Sequence, residues 1–342
     1  MSQNRGNQTL CGLGSGLGRS RNGHERDQPL VASPQSKPHD TPQIESRNTM
    51  IRFVQWATWP LLLTTSCLIL SVGFTTPGDI DVFGLAVKPE LIYFNLSYAW
   101  IVLWLLLLER LLPYRAAWQR KDGQTGADLA HTLLNKGLVQ FTIVQLMGMS
   151  FFQHREATML STQPLLVQAS VGLLAAEFGL YWAHRWSHEW PLLWRFHAVH
   201  HSVKRLWLIN TGRFHFVDSN LSVLASVPFL LLTGISMNAI ILVSAITAYI
   251  GVLTHCNVAT RCGFLSYVFN TPNLHRWHHS LVPTEGNANY GQNLMLWDQL
   301  FGTFFIRPEA ELGEIGIAER MPARFIGQLY VPFIWKRYQR AP

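Results

Sequence analysis

The amino-acid sequence predicts an all-α integral membrane protein with four to six transmembrane helices and a histidine-rich helical cap on the cytoplasmic side. Three observations lead to this prediction. The 342 residues are 48% hydrophobic and only 14% charged, and they include 13 tryptophans. Apolar stretches long enough to cross a bilayer recur along the chain. Eight of the 14 histidines fall within two short segments, residues 184–201 and 275–279.

Four apolar stretches predict the first membrane spans. They lie near residues 53–73, 91–112, 129–152 and 164–183, and each is close to the ~20 residues that a helix needs to cross a bilayer. A longer apolar stretch, 221–254, is interrupted at TGISMN and predicts a helical hairpin. Each half of the hairpin is near the lower limit for spanning, so both a full crossing and a re-entrant loop stay open.

The charges between the apolar stretches predict an orientation. Arg47 and Arg52 precede the first stretch, whereas Asp79 and Asp81 follow it. Because cytoplasmic loops carry an excess of Lys and Arg, the N-terminus is expected in the cytoplasm. Four spans followed by a hairpin then place both histidine segments on the cytoplasmic face.

The polar composition of the N-terminal residues predicts the domain boundary. The net charge and the cysteine spacing argue against other classes of protein. Residues 1–49 are polar and predict a disordered tail, whereas residues 50–342 predict one membrane-embedded domain. Met50 opens an apolar segment typical of a membrane protein's start, so 1–49 is interpreted as an upstream extension. The net charge of +7 lacks the compact basic stripe of a nucleic-acid-binding protein. The four cysteines form no CxxC pair, which argues against a disulfide framework and a thiolate zinc site.

The histidine spacing indicates metal binding. His184 and His188 are four residues apart and share one face of a helix. Two HxxHH segments follow, and each can offer two or three imidazoles to one point; their histidines are His197, His200, His201, His275, His278 and His279. Eight imidazoles exceed the coordination of one ion and suit two metal ions with positions left for water or dioxygen.

The same histidines could instead be structural, or could serve a metal transporter or a zinc hydrolase. A single histidine at a membrane interface is usually a hydrogen-bonded structural residue, but eight in this spacing are not. A metal-transporting membrane protein would spread its ligands along the spans, whereas these cluster at one edge. A zinc-dependent membrane hydrolase on the same ligands stays open, although HRWSHE lacks the HExxH pattern of zinc proteases.

At these residues the sequence resembles the fatty acid hydroxylase superfamily, also called the sterol desaturase family. The segments that carry the resemblance are HRWSH, WRFHAVHHS, NLHRWHHS and NYGQNLMLWDQLFGTF, and the match extends from about residue 125 to 306. The resemblance implies a membrane enzyme that binds two iron ions, uses dioxygen, and hydroxylates or desaturates a C–H bond of a lipid.

The resemblance also implies a ligand set. It assigns the eight box histidines and adds His255 in THCNV, while Gly251 stands where some relatives carry a further ligand. Four more residues are interpreted as outer contacts or substrate contacts: His215, Glu177, Asn289 and Tyr290. Glu177 is expected either to orient a ligand imidazole or to pair with an arginine.

The partners follow from the same interpretation. The chain has no cofactor-binding fingerprint and no fused haem domain, so a reductase and a small electron carrier are implied. The substrate is a membrane lipid that enters from the bilayer; sterols, acyl chains, ether lipids, carotenoids and amino-acid-headed lipids are all allowed. A bacterial inner membrane is favoured over the endoplasmic reticulum.

Overall fold

The computed structural model describes residues 42–148, 158–307 and 310–338, and residues 46–342 form one compact unit. Most of the predicted tail, residues 1–41, lies outside the described residues. The helices before the second histidine segment are α1 (Pro42–Thr75), α2 (Pro89–Leu111), α3 (Thr125–Gly148), α4 (Leu165–Glu189), α5 (Pro191–His201), α6 (Phe216–Leu232) and α7 (Met237–His255). Short helices follow: α8 (Leu265–Val268), α9 (Pro272–His278), α10 (Pro283–Gly286), α11 (Leu296–Leu300) and α12 (Phe325–Tyr330).

One element departs from the predicted all-α fold. Between α1 and α2, strands β1 (Ile80–Val82) and β2 (Leu85–Val87) form a small antiparallel hairpin, in which Val82 pairs with Leu85. Phe83 and Gly84 make the turn with positive φ angles of 53° and 81°. Two residues with positive φ are what a tight hairpin turn requires.

Four of the described helices are long and apolar enough to cross a membrane: residues 48–75 of α1, and the whole of α2, α4 and α7. The prediction of a helical integral membrane protein is therefore confirmed. In the predicted hairpin the second half, α7, is long enough to cross, whereas α3, the described part of the predicted span 129–152, is not among the four. The start of α3 carries Asp128, His131 and Asn135, which are buried polar residues, and residues 149–152 lie outside the described residues.

The predicted hairpin over 221–254 is present as α6 and α7. Its turn packs against the start of α4: the Thr158 hydroxyl donates to the Gly234 carbonyl at 2.9 Å, and the Ser236 amide donates to Gln168 Oε1 at 2.8 Å. These contacts bring the hairpin turn and the start of α4 to the same end of the helix bundle, opposite the histidines.

The histidine end of the bundle is tied together by a buried carboxylate. Glu109, at the end of α2, accepts hydrogen bonds from the Leu208 and Asn257 amides, each at 2.8 Å. A second buried pair, Arg213 with Asp128 at 2.8 Å, joins the start of α3 to the segment before α6. Unpaired backbone groups and charges are costly in an apolar interior, so these bonds fix the loops that surround the site.

The tightest helix contact is between α4 and α6. A Cβ added at Gly179 would lie 2.1 Å from the Ala225 carbonyl oxygen, so only glycine allows this approach. Small residues at such positions let transmembrane helices pack backbone against backbone. The contact matters for the site because α4 carries His184 and His188 at its end.

Gly179→Ala is expected to lower the stability of the bundle by about 1–3 kcal/mol, the usual cost of overpacking. Thermal unfolding of the purified protein in detergent would show a lower midpoint. The matched control is Gly137→Ala in α3, where an added Cβ has no atom within 4 Å. That variant should unfold at or above the wild-type midpoint, because alanine favours helix over glycine. Equal midpoints for both variants would contradict the close-packing interpretation.

Candidate metal centre

Two consecutive helices present the first histidines. α4 ends at Glu189, and Pro191 begins α5 at the first helical position, where its missing N–H costs nothing. This break turns the chain back, so that His184 faces His197 from the neighbouring helix. Their Nε2 atoms lie 3.1 Å apart.

The remaining histidines come from the second half of the chain. His255 closes the last turn of α7, and the seven-residue α9 carries His275 and His278, with His279 at its C-terminal cap. Pro272 starts α9 in the same way as Pro191 starts α5. The short helix brings its histidines into contact with those of α4 and α5: the ring centroid of His278 lies 4.5 Å from that of His184 and 4.6 Å from that of His201.

All nine histidines that were expected as ligands converge into two groups. In each group, one ring nitrogen per residue lies within 4.8 Å of the corresponding nitrogen of every other member. The five-histidine group contains His184, His188, His197, His201 and His278; the four-histidine group contains His200, His255, His275 and His279. The groups adjoin, since the rings of His201 and His279 stack with centroids 4.4 Å apart. His255, the ninth residue, belongs fully to the second group.

The spacing of the ring nitrogens fits metal ions. Nε2 atoms are 3.1 Å apart in the pairs His184–His197, His188–His201, His197–His201, His200–His279 and His275–His279. Two ligands at right angles, each about 2.1 Å from a metal, are separated by about 3 Å. Two nitrogen lone pairs at this distance would repel unless a cation lay between them.

The ring nitrogens that point away from the two histidine groups show which tautomer the rings adopt. The Nδ1 atoms of His184, His278 and His200 lie 2.6, 2.7 and 3.3 Å from backbone carbonyl oxygens. A carbonyl can only accept, so Nδ1 carries the proton and the Nε2 lone pair points inward. Such outer hydrogen bonds are typical of metal-ligating histidines. The buried Nε2 atoms of His255 and His278 have no protein partner within the described residues, which also fits ligation.

Burial sets the protonation of the histidines outside the membrane spans. It lowers the pKa of His200, His201, His275, His278 and His279 well below the usual histidine value, and the neighbouring imidazoles lower it further. These rings are neutral at pH 7. Neutral imidazole is the form that binds a metal.

Within the described residues one carboxylate, Asp218, contacts the nine histidines, and sequence reasoning missed it. It lies in the first turn of α6, is 4% exposed, and accepts a hydrogen bond from His197 Nδ1 at 2.9 Å. The only sequence signal is a single acid at the start of a long apolar helix. A carboxylate behind a ligand imidazole fixes its orientation and raises its basicity.

Tyr290 and Asn289 shape the loop that follows the second histidine segment. The Tyr290 carbonyl accepts from His184 Nδ1, while its own amide donates to Asp298 Oδ1 at 2.7 Å. Asn289, with φ of 56°, donates to the carbonyls of Leu274 and Phe305 at 3.2 and 2.8 Å. Asn289 therefore ties the loop to its surroundings, and Tyr290 contacts the histidines directly.

Glu177 and His215 lie elsewhere than expected. Glu177 is fully buried and accepts from the Asn293 amide at 3.0 Å and the Asn293 side chain at 2.7 Å, so it contacts neither an imidazole nor an arginine. His215 caps α6: its Nδ1 accepts from the Val217 amide at 3.2 Å, and its Nε2 donates to the Leu329 carbonyl at 3.3 Å. Both nitrogens of His215 are thus used structurally, outside the two groups.

Two cavities reach the histidines. A chamber of about 120 Å³ is lined by members of both groups, by Asp218 and by Gly251, the position where some relatives carry a further ligand. An apolar cavity of about 350 Å³ lies between α4, α6 and α7. Phe214, Ser222 and Gln292 line both, so the apolar cavity leads to the histidine chamber.

The fold and the site together define a class of protein: an integral membrane protein with a buried two-part histidine centre, able to hold metal, at the end of an apolar cavity. The fatty acid hydroxylase family model matches residues 169–303, which include all nine histidines. The chain belongs to the fatty acid hydroxylase family and is an oxygen-dependent lipid hydroxylase. The family predicted from the sequence is therefore confirmed.

The relatives differ in how much of their length is shared. The chain is 43% identical over 301 residues to the ornithine lipid hydroxylase OlsE of Rhizobium tropici, covering 84% of this chain and 87% of that protein. It is 31% identical over 174 residues to the alkylglycerol monooxygenase of Danio rerio, covering 49% of this chain and 37% of that protein. The human alkylglycerol monooxygenase is 29% identical over 174 residues, with 49% and 38% covered. No solved structure matches the chain.

Asp218→Ala is expected to weaken metal binding by about 10- to 100-fold, because His197 loses the carboxylate that orients it. Titration of the metal-free protein with Co²⁺, followed by its visible absorption, would measure the change. The matched control is Glu189→Gln, which alters an exposed carboxylate near the site that pairs with Arg185 at 2.7 Å. The control should bind as the wild type does. Equal affinities for all three proteins would rule out this role for Asp218.

Proposed function

We propose that this protein is a di-iron oxygenase that hydroxylates a C–H bond of an amino-acid-headed membrane lipid, using dioxygen and electrons from outside the chain. One observation carries the proposal: nine histidines form two adjoining groups, and members of both groups line a chamber that an apolar cavity reaches. The reaction consumes one dioxygen, two electrons and two protons, and yields the alcohol and one water.

The donor set supports iron and supports two ions. Imidazole nitrogen suits iron, copper, nickel and zinc, and family membership favours iron among them. Nine ligands exceed the six positions of an octahedral ion, and the two groups divide them five and four. When bound, the iron pair would supply the activation of dioxygen and the oxidation of the C–H bond, which protein side chains alone do not perform.

The chain's own residues hold the centre and shield it. Asp218 and the Tyr290 carbonyl orient ligand rings from outside. Phe214 stacks on His200, with ring centroids 3.9 Å apart and planes 11° apart, and places an apolar face where the two cavities meet. Apolar walls beside the chamber exclude water and admit a hydrocarbon substrate, which favours oxidation of substrate over side reactions.

The substrate class rests on the relative that shares nearly the whole chain. The 43% identity to an ornithine lipid hydroxylase extends over 87% of that protein, including the helices that form the apolar cavity. The alkylglycerol monooxygenases share only about a third of their length. An ornithine-type lipid, with an amino-acid head and an amide-linked acyl chain, is therefore proposed over an ether lipid.

The membrane and the electron supply complete the proposal. The positive-inside pattern around α1 and α2 favours a cytoplasmic histidine centre, and the Rhizobium relative favours a bacterial inner membrane. A small electron carrier and its reductase are the proposed donors of the two electrons. The lipid would enter from the bilayer past α6, whose cavity-lining residues Val223, Val227 and Leu230 are half-buried.

His278→Ala is expected to abolish hydroxylation while leaving the protein inserted, because the five-histidine group loses a ligand. Lipids of cells that express wild type or variant, with a reductase system present, would be compared by mass spectrometry. Wild type should yield an amino-acid-headed lipid with one added oxygen, and the variant should not.

His215→Asn is the matched control, since asparagine keeps a side chain that can cap α6 and removes an imidazole outside both groups. It should retain activity. Full turnover by His278→Ala would refute the di-metal assignment. Purified protein that contains zinc, and that consumes no dioxygen in the presence of lipid and reductant, would favour the zinc hydrolase instead.

A further inference from the structure

The junction of the two cavities has three lining residues that belong to both: Phe214, Ser222 and Gln292. On one side of the junction lie the histidine rings, and on the other the walls are mainly aliphatic. Phe214 is held by its backbone carbonyl, which accepts from Asn135 and His131, and by its stacking on His200. The junction therefore has one fixed aromatic wall, Phe214, and two polar side chains, Ser222 and Gln292.

Ser222 differs from the other hydroxyl side chains of the apolar cavity. Ser226, Ser244 and Thr247 each donate to a backbone carbonyl one turn earlier in their helices. Ser219 donates to Asn135 Oδ1. The Ser222 hydroxyl, in contrast, has no hydrogen-bond partner among the described residues. The Ser222 hydroxyl is therefore available to donate a hydrogen bond to a ligand at the junction.

Gln292 is anchored by its backbone and free at its side chain. Its amide N–H donates to the buried Glu177 carboxylate, which also holds Asn293. The half-buried side-chain amide of Gln292 makes no hydrogen bond within the part of the chain that the structure describes. The residue, anchored through its backbone N–H, thus presents a side-chain donor and acceptor at the end of an apolar cavity. Leaving both unsatisfied in a half-buried place is unfavourable.

We infer that Ser222 and Gln292 form a subsite for the secondary amide that links the acyl chain of the lipid to its amino-acid head. The Ser222 hydroxyl donates to the amide carbonyl, and Gln292 Oε1 accepts from the amide N–H. The acyl chain then occupies the apolar cavity, and the subsite fixes which carbon reaches the histidine chamber. This inference rests on the proposed function, since the amide belongs to the proposed lipid.

An amide fits this pair better than the other common lipid linkages. An ester offers a carbonyl but no N–H, so Gln292 Oε1 would stay unpaired. An ether offers neither a carbonyl nor an N–H. Each hydrogen bond lost should weaken binding by about three- to tenfold.

Three lipids with the same chain and the same head test the subsite: an N-acyl ornithine, its ester analogue with oxygen in place of the α-nitrogen, and the corresponding ether. Their dissociation constants would be measured without dioxygen on the purified, metal-loaded protein in detergent. Wild type should bind the amide most tightly, then the ester, then the ether, with about three- to tenfold between steps. Ser222→Ala should bind the ester and the ether with equal dissociation constants. Gln292→Leu should bind the amide and the ester with equal dissociation constants.

Ser226→Ala is the matched control, because this serine lines the same apolar cavity but its hydroxyl is already bonded to the Val223 carbonyl. It should keep the wild-type differences in dissociation constant between amide and ester and between ester and ether. Metal content and thermal midpoints equal to those of wild type would show that the variants fold. With dioxygen and reductant added, Gln292→Leu should also spread the hydroxyl over more than one carbon.

The outcomes separate the subsite from the proposed function. If both variants keep the wild-type ratios, or if wild type does not discriminate between the lipids, the subsite is refuted even when hydroxylation occurs. If the ratios change as expected but no oxidised lipid forms with dioxygen and reductant, the subsite stands and the proposed function fails.

Discussion

The structure depends on one constraint: many imidazoles must be buried together, uncharged, with their inward nitrogens free for a metal. Each inward lone pair requires the proton to sit on the opposite nitrogen, and each such N–H requires an acceptor. Side-chain oxygens of Asn287, Asp218 and Asn210 supply three of these acceptors, and the backbone carbonyls of Tyr290, Ala288 and Arg213 supply three more. The loops that carry these carbonyls are therefore as much part of the centre as the histidines are.

Besides the Arg213–Asp128 pair, three buried acids hold the chain around the centre, and none of the three forms an ion pair within the described residues. Glu109, Glu177 and Asp298 each accept two or more hydrogen bonds from backbone amides or polar side chains. A carboxylate that is surrounded by N–H donors is tolerated in an apolar interior because its hydrogen-bonding capacity is filled. The usual interpretation of an acid in a membrane helix, as an ion-pair partner or a functional group, does not apply to Glu177. It serves as an attachment point for the chain after the histidines.

The sequence predicted the convergent histidines and Tyr290 but missed Asp218 and Asn210, for a physical reason. His184 and His188, or His275 and His279, are four residues apart on a helix, and this local periodicity is visible in one dimension. Asp218 contacts a histidine 21 residues earlier, and Asn210 contacts His255 from 45 residues earlier. Such contacts arise only when the helices pack, so spacing does not reveal them. The same limit applies to the start of α3, where the bonds from Asp128 and Asn135 to the segment before α6 are invisible in the spacing.

The low basicity of the buried histidines also separates folding of the centre from metal binding. In the folded chain the rings are neutral before any metal arrives, so folding alone buries no histidine charge at the centre. Thiolate sites must release a proton for each ligand as the ion binds, whereas this centre has none to release near neutral pH. Assembly can therefore proceed in two separate stages, folding of the centre and then binding of metal. The second stage delivers a large positive charge to a region with Asp218 as its one contacting carboxylate within the described residues.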